Sequence, residues 1–337
     1  MINRLTRAAA ALAVLLAVAA PGERAAAQME STTMAIPANA VLFAPIYIAA
    51  DTGIFKANQL DVKLVMVAGP GAANAVLAGS ADFASIAGGS VLRTAARGQP
   101  MLAIANTIDK LLLEAVVSKA SLEKHKVSAE GDFAKRVMAL KGMTVAVDTV
   151  NGLPHGYLRY ISKKVGLDAE KDVVVTSMQP PNMLSALKSG TVDAFIFTDP
   201  FTTMAVKDGG IVLIRNPELD APELNPFAFN LIITRQTFCT EKRSICQKIV
   251  ASLKTAVEKM QKEPDAMLAV LKPRFAQVPP DILAASFKLI AASSNPSLTV
   301  SEQAMRNTQE YSIGAGLMTP AERIEPLSRI YTNDFTK

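Results

Sequence analysis

The sequence predicts an α/β protein with two lobes and a helical carboxyl-terminal segment. Short apolar runs alternate with helical patterns over most of the first 215 residues, several residues recur at a constant offset of 111 positions, and the pattern after Arg235 is largely helical. Strands separated by helices of this length form right-handed βαβ units, so both sheets should be mostly parallel. Two lobes also suit the length of the chain.

The first half of the chain contains four predicted strands with helical patterns between them. Each strand is a short apolar run bounded by turn residues. The strands are Thr32–Ile36, Val62–Val67, Asp82–Ile86 and Met101–Ala105, and the helices are Pro45–Thr52, Ala72–Ala78 and Ser90–Ala96.

The second half repeats this alternation before it becomes helical. No convincing strand follows Arg235, so the tail is expected to pack back on an earlier lobe. The predicted strands are Met143–Val147, Asp172–Ser177, Asp193–Phe197 and Ile211–Ile214, and the helices are Pro154–Val165, Met183–Ser189 and Phe201–Lys207.

Two similar segments indicate an internal repeat, LAGSADFASIAGGS at residues 77–90 and LKSGTVDAFIFTDP at residues 187–200. The prolines suit the first turn of a helix, and the glycines suit left-handed helix ends. The aspartates lie in turns that lead into strands, where a carboxylate accepts backbone amide hydrogens, so we predict a structural role for them. The matching pairs are Pro70 and Pro181, Ala75 and Ala186, Gly79 and Gly190, Asp82 and Asp193, and Gly98 and Gly209.

The repeat directs attention to the opposite ends of the strands. In open parallel sheets, ligands bind outside the carboxyl ends of the strands, where loops lead into helices. If the two lobes face each other, three loops from each converge on one cleft. These loops are residues 39–45, Gly69–Ala72, Gly88–Ser90, residues 148–154, Pro180–Asn182 and Thr198–Pro200.

The amino terminus predicts export. A basic start, a 13-residue apolar run from Ala8 to Ala20 and three alanines ending at Ala27 are typical of a secretory signal peptide over residues 1–27. The apolar run is too short for a membrane-spanning helix. Cleavage removes three arginines and one glutamate and lowers the net charge from +5 to +3, which gives no argument for nucleic acid. No cysteine follows to carry a lipid, so we expect a free periplasmic protein.

The two cysteines, Cys239 and Cys246, suggest a disulfide that closes a small surface loop, with free or buried thiols as the alternative. The only histidines, His125 and His155, lie far from them in sequence, so we expect no zinc site. The methionines form no cluster at metal-site spacing, and no phosphate-binding loop signature is present. We therefore expect no metal and no cofactor.

Several stretches together resemble one family. APIYIAADTGIFKANQLDVKLV from Ala44, GPGAANAVLAGSADFA, ALKGMTVAV, GLDAEKDVVV, and ALKSGTVDAFIFTDP with AVKDGG occur in this order. They resemble the nitrate, sulfonate, taurine and thiamine-precursor solute-binding proteins of bacterial ABC importers, over roughly residues 30–235.

The resemblance implies a type II periplasmic binding protein fold, with two α/β lobes joined by two crossing strands and a solute between them. The crossings would lie near Leu113–Ser118 and Phe227–Ile233. Residues 28–115 and 230–337 would form the first lobe, with the helical tail packed on it, and residues 116–229 the second. A small-molecule solute and the ABC permease and ATPase subunits would be the partners of a monomer.

The cleft loops supply the candidate ligand contacts. Phe43 and Tyr47 either stack on a solute or pack in the core, and Asn39 and Asn151 can both donate and accept. His155 has no triad-like neighbours, so it is expected in a cleft contact or in packing rather than in catalysis. The predicted contacts are Asn39, Phe43, Pro45, Tyr47, Gly71, Ala72, Gly88, Gly89, Ser90, Asn151, Gly152, His155, Asn182, Thr198 and Asp199.

The chemistry of these loops favours a small organic solute. Several helix amino termini suit an anionic group, and no Arg or Lys occurs in the loops, so amides and hydroxyls would hold the anion. Asp199 either caps its own helix or contacts an amine or ring nitrogen of the solute. The candidates are a sulfonate, a carboxylate, nitrate and a thiamine-pyrimidine precursor. The Gly, Pro, Ala and Val content of the loops favours an organic molecule with one anionic end over nitrate, so an organic anion or zwitterion is expected.

Two other functions are compatible with this type of fold. The resembling family includes thiamine-pyrimidine synthases, which use a cysteine cluster and histidine. This chain has no clustered cysteines and carries an export signal, so an enzyme is not expected. A sensory module that presents its loaded form to a membrane receptor would have the same pocket.

Overall fold

A computed structural model describes residues 29–67, 71–216 and 220–337. The predicted signal peptide lies outside these residues, as do Gly69 and Pro70 of the Gly69–Ala72 loop. Within the described part, ten strands form two five-stranded sheets surrounded by helices. All eight strands predicted from the residues are present, and two further strands connect the lobes.

The first sheet has the strand order β2-β1-β3-β10-β4. β1 pairs in parallel with β2 and β3, whereas β10 is antiparallel to both β3 and β4. Four strands are therefore consecutive in the chain, and the fifth returns from more than 120 residues further along. The strands are β1 (Glu30–Ile36), β2 (Leu60–Met66), β3 (Phe83–Ile86), β4 (Met101–Ile108) and β10 (Asn230–Arg235).

The second sheet repeats this plan with the order β7-β6-β8-β5-β9. β6 pairs in parallel with β7 and β8, and β5 is antiparallel to β8 and β9. β5 thus occupies the place that β10 has in the first sheet, so each lobe receives one antiparallel crossing strand. The strands are β5 (Glu114–Ser118), β6 (Thr144–Val147), β7 (Val174–Ser177), β8 (Ala194–Phe197) and β9 (Gly210–Arg215).

Helices cover both sheets. Those among the strands of the first lobe are α1 (Ala44–Asp51), α2 (Ile54–Ala57), α3 (Gly71–Leu77) and α4 (Gly88–Ala96). Those of the second lobe are α5 (Lys119–His125), α6 (Phe133–Met138), α7 (Leu153–Lys164), α8 (Pro180–Ser189) and α9 (Phe201–Lys207). The tail contains α10 (Phe238–Glu241), α11 (Arg243–Lys262), α12 (Pro264–Leu271), α13 (Pro280–Ser293) and α14 (Glu302–Gly314).

The tail packs on the first lobe, as the sequence predicts. α11 buries Ile249, Leu253, Val257 and Met260, whose spacing places them on one helix face. This face contacts α1 and β4 of the first lobe. The packing explains why a largely helical segment of about 100 residues needs no sheet of its own.

The internal repeat extends to individual hydrogen bonds. Asp82 accepts the Thr33 amide at 3.1 Å, and Asp193 accepts the Thr144 amide at 2.9 Å. Both pairs are separated by 49 residues, and the second pair follows the first by 111. The structural role predicted for the two aspartates is confirmed. Because each aspartate precedes its strand, β3 and β8 begin one residue later than predicted.

The glycines that end the helices before these aspartates are also equivalent. Gly79 has a φ of 75° and Gly190 a φ of 74°, in the left-handed region that favours glycine. Both lobes thus turn from helix to strand with the same backbone conformation.

Cys239 and Cys246 form a disulfide that joins α10 to the start of α11. The predicted pairing is therefore present. The predicted surface location is wrong, because both cysteines are buried in the core of the first lobe. The bond holds the two helices together beneath the tail.

Candidate functional site

The two lobes meet at two crossing segments that connect their sheets. The Phe227 amide donates to the Asp109 carbonyl at 2.7 Å, which joins the segment before β10 to the end of β4. The side-chain amide of Asn216 donates to the Leu111 carbonyl at 2.9 Å, and its oxygen accepts the hydroxyl of Tyr157 at 3.1 Å. These bonds fix a hinge beside the carboxyl ends of the central strands, where the candidate cleft lies.

The first-lobe side of the cleft is the amino terminus of α4. The Gly88 amide donates to the Ala228 carbonyl at 2.9 Å, and a Cβ at Gly88 would lie 2.7 Å from the Ala228 Cβ. Ser90 donates its amide to the Ala87 carbonyl. Gly88 therefore serves close packing against the hinge, and its amide is not free for a solute. The helix amino termini that the sequence predicts for an anion therefore do not include a free amide at Gly88.

Arg93 is a cation beside the cleft that the sequence reasoning missed. One guanidinium nitrogen lies 3.4 Å from the position that a Cβ on Gly89 would occupy, and another donates to the Ser90 hydroxyl at 3.2 Å. Burial lowers the pKa of Arg93, as does the neighbouring Arg97. Within the described residues, Arg93 forms no ion pair within 4.0 Å. Its four-residue spacing from Gly89 was the available signal, because that spacing shares a helix face.

The second-lobe side begins with the loop from β6 to α7. Asn151 has a φ of 61° and donates its amide to His155 Nδ1 at 3.0 Å. A Cβ at Gly152 would lie 2.8 Å from the Thr149 carbonyl oxygen. The loop is thus a tight turn, and the Asn151 amide, like that of Gly88, is not free for a solute.

His155 supports this loop from inside the protein. The side chain is 2% exposed, and Nδ1 accepts a backbone amide, so the ring is not protonated there. Nε2 lies 3.3 Å from Glu170 Oε1 without hydrogen-bond geometry. Burial, followed by the nearby Arg159, lowers the pKa of His155. A neutral histidine that accepts a loop amide has the arrangement of a packing residue.

Asp148, directly after β6, has a buried carboxylate oxygen. Its Oδ1 has no hydrogen-bond partner and lies 3.5 Å from the position of a Cβ on Gly152. Burial raises the pKa of Asp148 from 3.8 to about 6, against the opposing effect of the Thr149 and Asp148 amides. Among the described residues no cation pairs with it. Asp148 belongs to a predicted loop, but no pattern in the sequence distinguishes it from the other loop residues.

Asp199 adopts the capping arrangement. Its Oδ1 accepts the Thr203 amide at 3.2 Å and the hydroxyls of Thr202 and Thr203 at 3.1 and 2.5 Å. Asp199 and the preceding Thr198 are buried. One oxygen of Asp199 is therefore fully used by the first turn of α9.

The other predicted contacts are more dispersed. Tyr47 is in the core, where its hydroxyl donates to the Ala38 carbonyl at 3.2 Å and its ring lies under the Arg274 guanidinium. Burial raises the pKa of Tyr47 to about 12. Asn39 and Asn182 are exposed, and Gly71 is partly buried. Three other predicted contacts are buried, namely Phe43, Pro45 and Ala72.

α14 of the tail forms a third wall between the lobes, which the sequence did not predict. The Tyr311 hydroxyl donates to the carbonyl of Leu153, the first residue of α7, at 2.6 Å. A Cβ on Gly156 would lie 2.6 Å from this hydroxyl and 2.5 Å from Leu317 Cδ1. Thr308 accepts the Ala228 amide of the hinge at 3.0 Å. One helix thus contacts α4, the hinge and α7.

A second interlobe contact lies at α9. Lys207 Nζ is 2.7 Å from Asp281 Oδ2, which joins the end of α9 to the first turn of α13. Both side chains are more than half exposed, so the pair contributes little to stability. It nevertheless shows that tail helices touch the second lobe at two separate places.

A cavity of about 370 Å³ lies elsewhere in the second lobe. Its lining includes Asp193, which directly precedes β8, and Gly210, the first residue of β9, so the cavity opens at the amino ends of these strands. Ligands of open α/β sheets bind at the carboxyl ends. We therefore place the candidate site at the interlobe cleft and not in this cavity.

Two negative findings apply to the described part of the chain. No helix there has the length and apolar character to cross a membrane. No group of three or more His, Cys, Asp or Glu side chains there could hold a metal ion.

The two sheets, their crossing strands and the tail on the first lobe define a type II periplasmic binding protein fold. The chain belongs to the NMT1/THI5-like family, whose model matches residues 41–267, more than half of the sequence. The family resemblance and the predicted fold are both confirmed. No curated protein matches the chain.

Solved structures share the fold at low sequence identity. A protein from Bordetella bronchiseptica RB50 is 23% identical with a TM-score of 0.75, covering 91% of this chain and 95% of its own. The alkanesulfonate-binding protein SsuA from Xanthomonas axonopodis pv. citri, bound to MOPS, is 18% identical with a TM-score of 0.68, covering 88% and 96%. The periplasmic aliphatic sulphonate-binding protein SsuA from Escherichia coli is 18% identical with a TM-score of 0.69, covering 91% and 99%.

Proposed function

We propose that this protein captures a small organic anion or zwitterion in the interlobe cleft and delivers it to an ABC permease and its ATPase. The observation that carries the proposal is the hinge, where two lobes of the same plan are joined beside the carboxyl ends of their strands. A two-segment hinge permits closure by rigid-body rotation, and an enclosed solute favours the closed state.

The proposed contacts come from the loops that end the strands. Gly89 and Ser90 would contribute from the first lobe, with Asn151, Thr198 and Asp199 from the second. The remaining predicted contacts lie further into the core or on the exposed rim. The solved relatives that bind sulfonates support an anionic end on the solute.

The arrangement around His155 favours binding over catalysis. General base catalysis requires a nitrogen within reach of a substrate proton. In this structure Nδ1 is occupied by the Asn151 amide, and the ring is 2% exposed. We therefore propose that the protein is not an enzyme.

We place the protein in the periplasm as a free monomer, on the signal peptide predicted for residues 1–27. A thiamine-pyrimidine precursor is the second solute candidate, because the NMT1/THI5-like model matches the chain. A sensory partner in place of a permease would use the same cleft. Permease and ATPase genes next to the coding gene would favour transport.

A thermal-shift screen of the mature protein tests the proposal. Sulfonates, carboxylates, nitrate, zwitterions and aminopyrimidines would be added to solute-free protein. A solute that binds only the native state raises its apparent stability with concentration. Absence of any shift, together with turnover of one of these compounds, would contradict the proposal.

A further inference from the structure

We propose that the solute is a zwitterion, that Asp148 selects its protonated amine or N–H donor, and that Arg93 receives its anionic end. This inference rests on the proposed function and narrows it. It assigns one charged residue to each wall of the cleft.

Asp148 has a carboxylate oxygen that no group of the described residues satisfies. Its Oδ1 is shielded from solvent and has no hydrogen-bond partner. A buried polar atom without a partner is unfavourable, so native proteins rarely retain one unless another group completes the bond. The position directly after β6 is at the carboxyl end of the sheet, where the solute would lie. A donor on the solute supplies the missing partner.

The surrounding charges leave Asp148 uncompensated. On α7, Arg159 is paired with Glu170, and His155 is neutral because its Nδ1 accepts the Asn151 amide. On the neighbouring strand, Asp199 adds a second carboxylate, whose Oδ1 is occupied by the first turn of α9. The second-lobe wall therefore carries negative charge and one carboxylate oxygen that has no hydrogen-bond partner among the described residues.

Arg93 gives the opposite wall the opposite sign. Its guanidinium is half-buried beside Gly89 and is free of ion pairs within the described residues. Its one side-chain hydrogen bond, to Ser90, leaves other N–H donors open. A guanidinium in this state suits a carboxylate or a sulfonate. The two walls together match a molecule with a cation at one end and an anion at the other.

Binding of matched compounds to the mature protein tests the assignment. 2-Aminoethanesulfonate and 4-aminobutanoate would be compared with 2-hydroxyethanesulfonate and butanoate by calorimetry. The variants would be Asp148→Asn and Arg93→Gln. Asp208→Asn and Arg97→Gln are charge-matched controls, because both residues are exposed and Asp208 lines the distant cavity. An aminopyrimidine serves as an N–H donor without an anionic end.

We expect the wild type to bind at least one amino compound at least about tenfold more tightly than its partner without the amine. Asp148→Asn should weaken that binding by about ten- to a hundredfold and abolish the preference, because a buried charged hydrogen bond is lost. Arg93→Gln should weaken both members of a pair equally, and the two controls should leave affinity unchanged.

Three outcomes would overturn the assignment in different ways. Equal binding of compounds with and without the amine, unaffected by Asp148→Asn, refutes the zwitterion but retains the proposed function. Aminopyrimidine binding that depends on Asp148 and not on Arg93 retains the N–H donor and refutes the anionic end. No binding of any compound refutes both the zwitterion and the solute-binding function.

Discussion

The partly buried carboxylate of Asp148 should make the solute-free protein less stable at neutral pH than an Asp148→Asn variant. Burial raises the pKa of this group from 3.8 to about 6. The native state therefore holds its proton more tightly than the unfolded state, and stability falls as pH rises from about 4 through 6. Each pKa unit corresponds to 1.36 kcal/mol, so the full effect is about 3 kcal/mol above pH 7.

The variant removes this titration and keeps the size of the side chain. We expect Asp148→Asn to be about 2–3 kcal/mol more stable at pH 8, with the difference below about 1 kcal/mol near pH 4. For a chain of this length, the gain at pH 8 raises the melting temperature by about 4 °C. The measurement is denaturant unfolding from pH 4 to 8, on protein refolded to remove co-purified solute.

The control is Asp208→Asn, which removes an exposed carboxylate far from the cleft and should follow the wild type. A variant at Asp148 that is less stable than the wild type at pH 8 would refute the reasoning, because it would show that the carboxylate has a stabilising partner. A pH-independent difference would show that the pKa of Asp148 is not raised.

Three further changes test the contacts around the cleft and the tail. Tyr311→Phe removes the hydrogen bond between α14 and α7, which is worth about 1 kcal/mol. The variant should bind solute about fivefold more weakly by calorimetry, and unchanged affinity would exclude a role of this bond in closure. Gly156→Ala places a methyl group against Leu317 and should destabilise the arrangement in which α14 packs on α7 by about 1–3 kcal/mol. We expect a larger radius of gyration for the variant than for the wild type with solute present, and an unchanged radius contradicts this. Replacing Cys239 and Cys246 together by serine should lower the free energy of unfolding by about 2–3 kcal/mol. Labelling of two thiols in the wild-type protein without reductant would argue against the disulfide.

Most of the fold was predictable because it depends on local patterns. Apolar runs and helix ends recur in both lobes, and the aspartates at 82 and 193 bind backbone amides at the same distance along the chain. The crossing strands β5 and β10 were not found from the residues alone. An apolar run such as that in β10 does not reveal which distant sheet it will join.

The sequence was enough to propose the loops of the candidate site but not their internal hydrogen bonds. The loops at 88–90, 148–154 and 198–200 were proposed because parallel sheets bind ligands there, and their contacts with a solute stay predictions. The Gly88 amide donates to the carbonyl of Ala228, which is far away in sequence. The Asn151 amide donates to His155, and neither hydrogen bond is visible in the sequence. The contacts of α14 with both lobes likewise depend on tertiary packing, which leaves no periodic pattern of residues in the sequence.

The repeat has a consequence for how a solute is oriented. At the 111-residue offset, Asp148 is equivalent to Pro37 and Asp199 to Gly88. Each of these two acids of the second lobe therefore has an uncharged equivalent in the first lobe. Two halves with the same backbone plan would accept a symmetrical molecule in either direction. Because only the second-lobe loops carry these acids, the pseudo-symmetry is broken by chemistry, and under the proposed function a molecule with unlike ends would enter the cleft in one direction only.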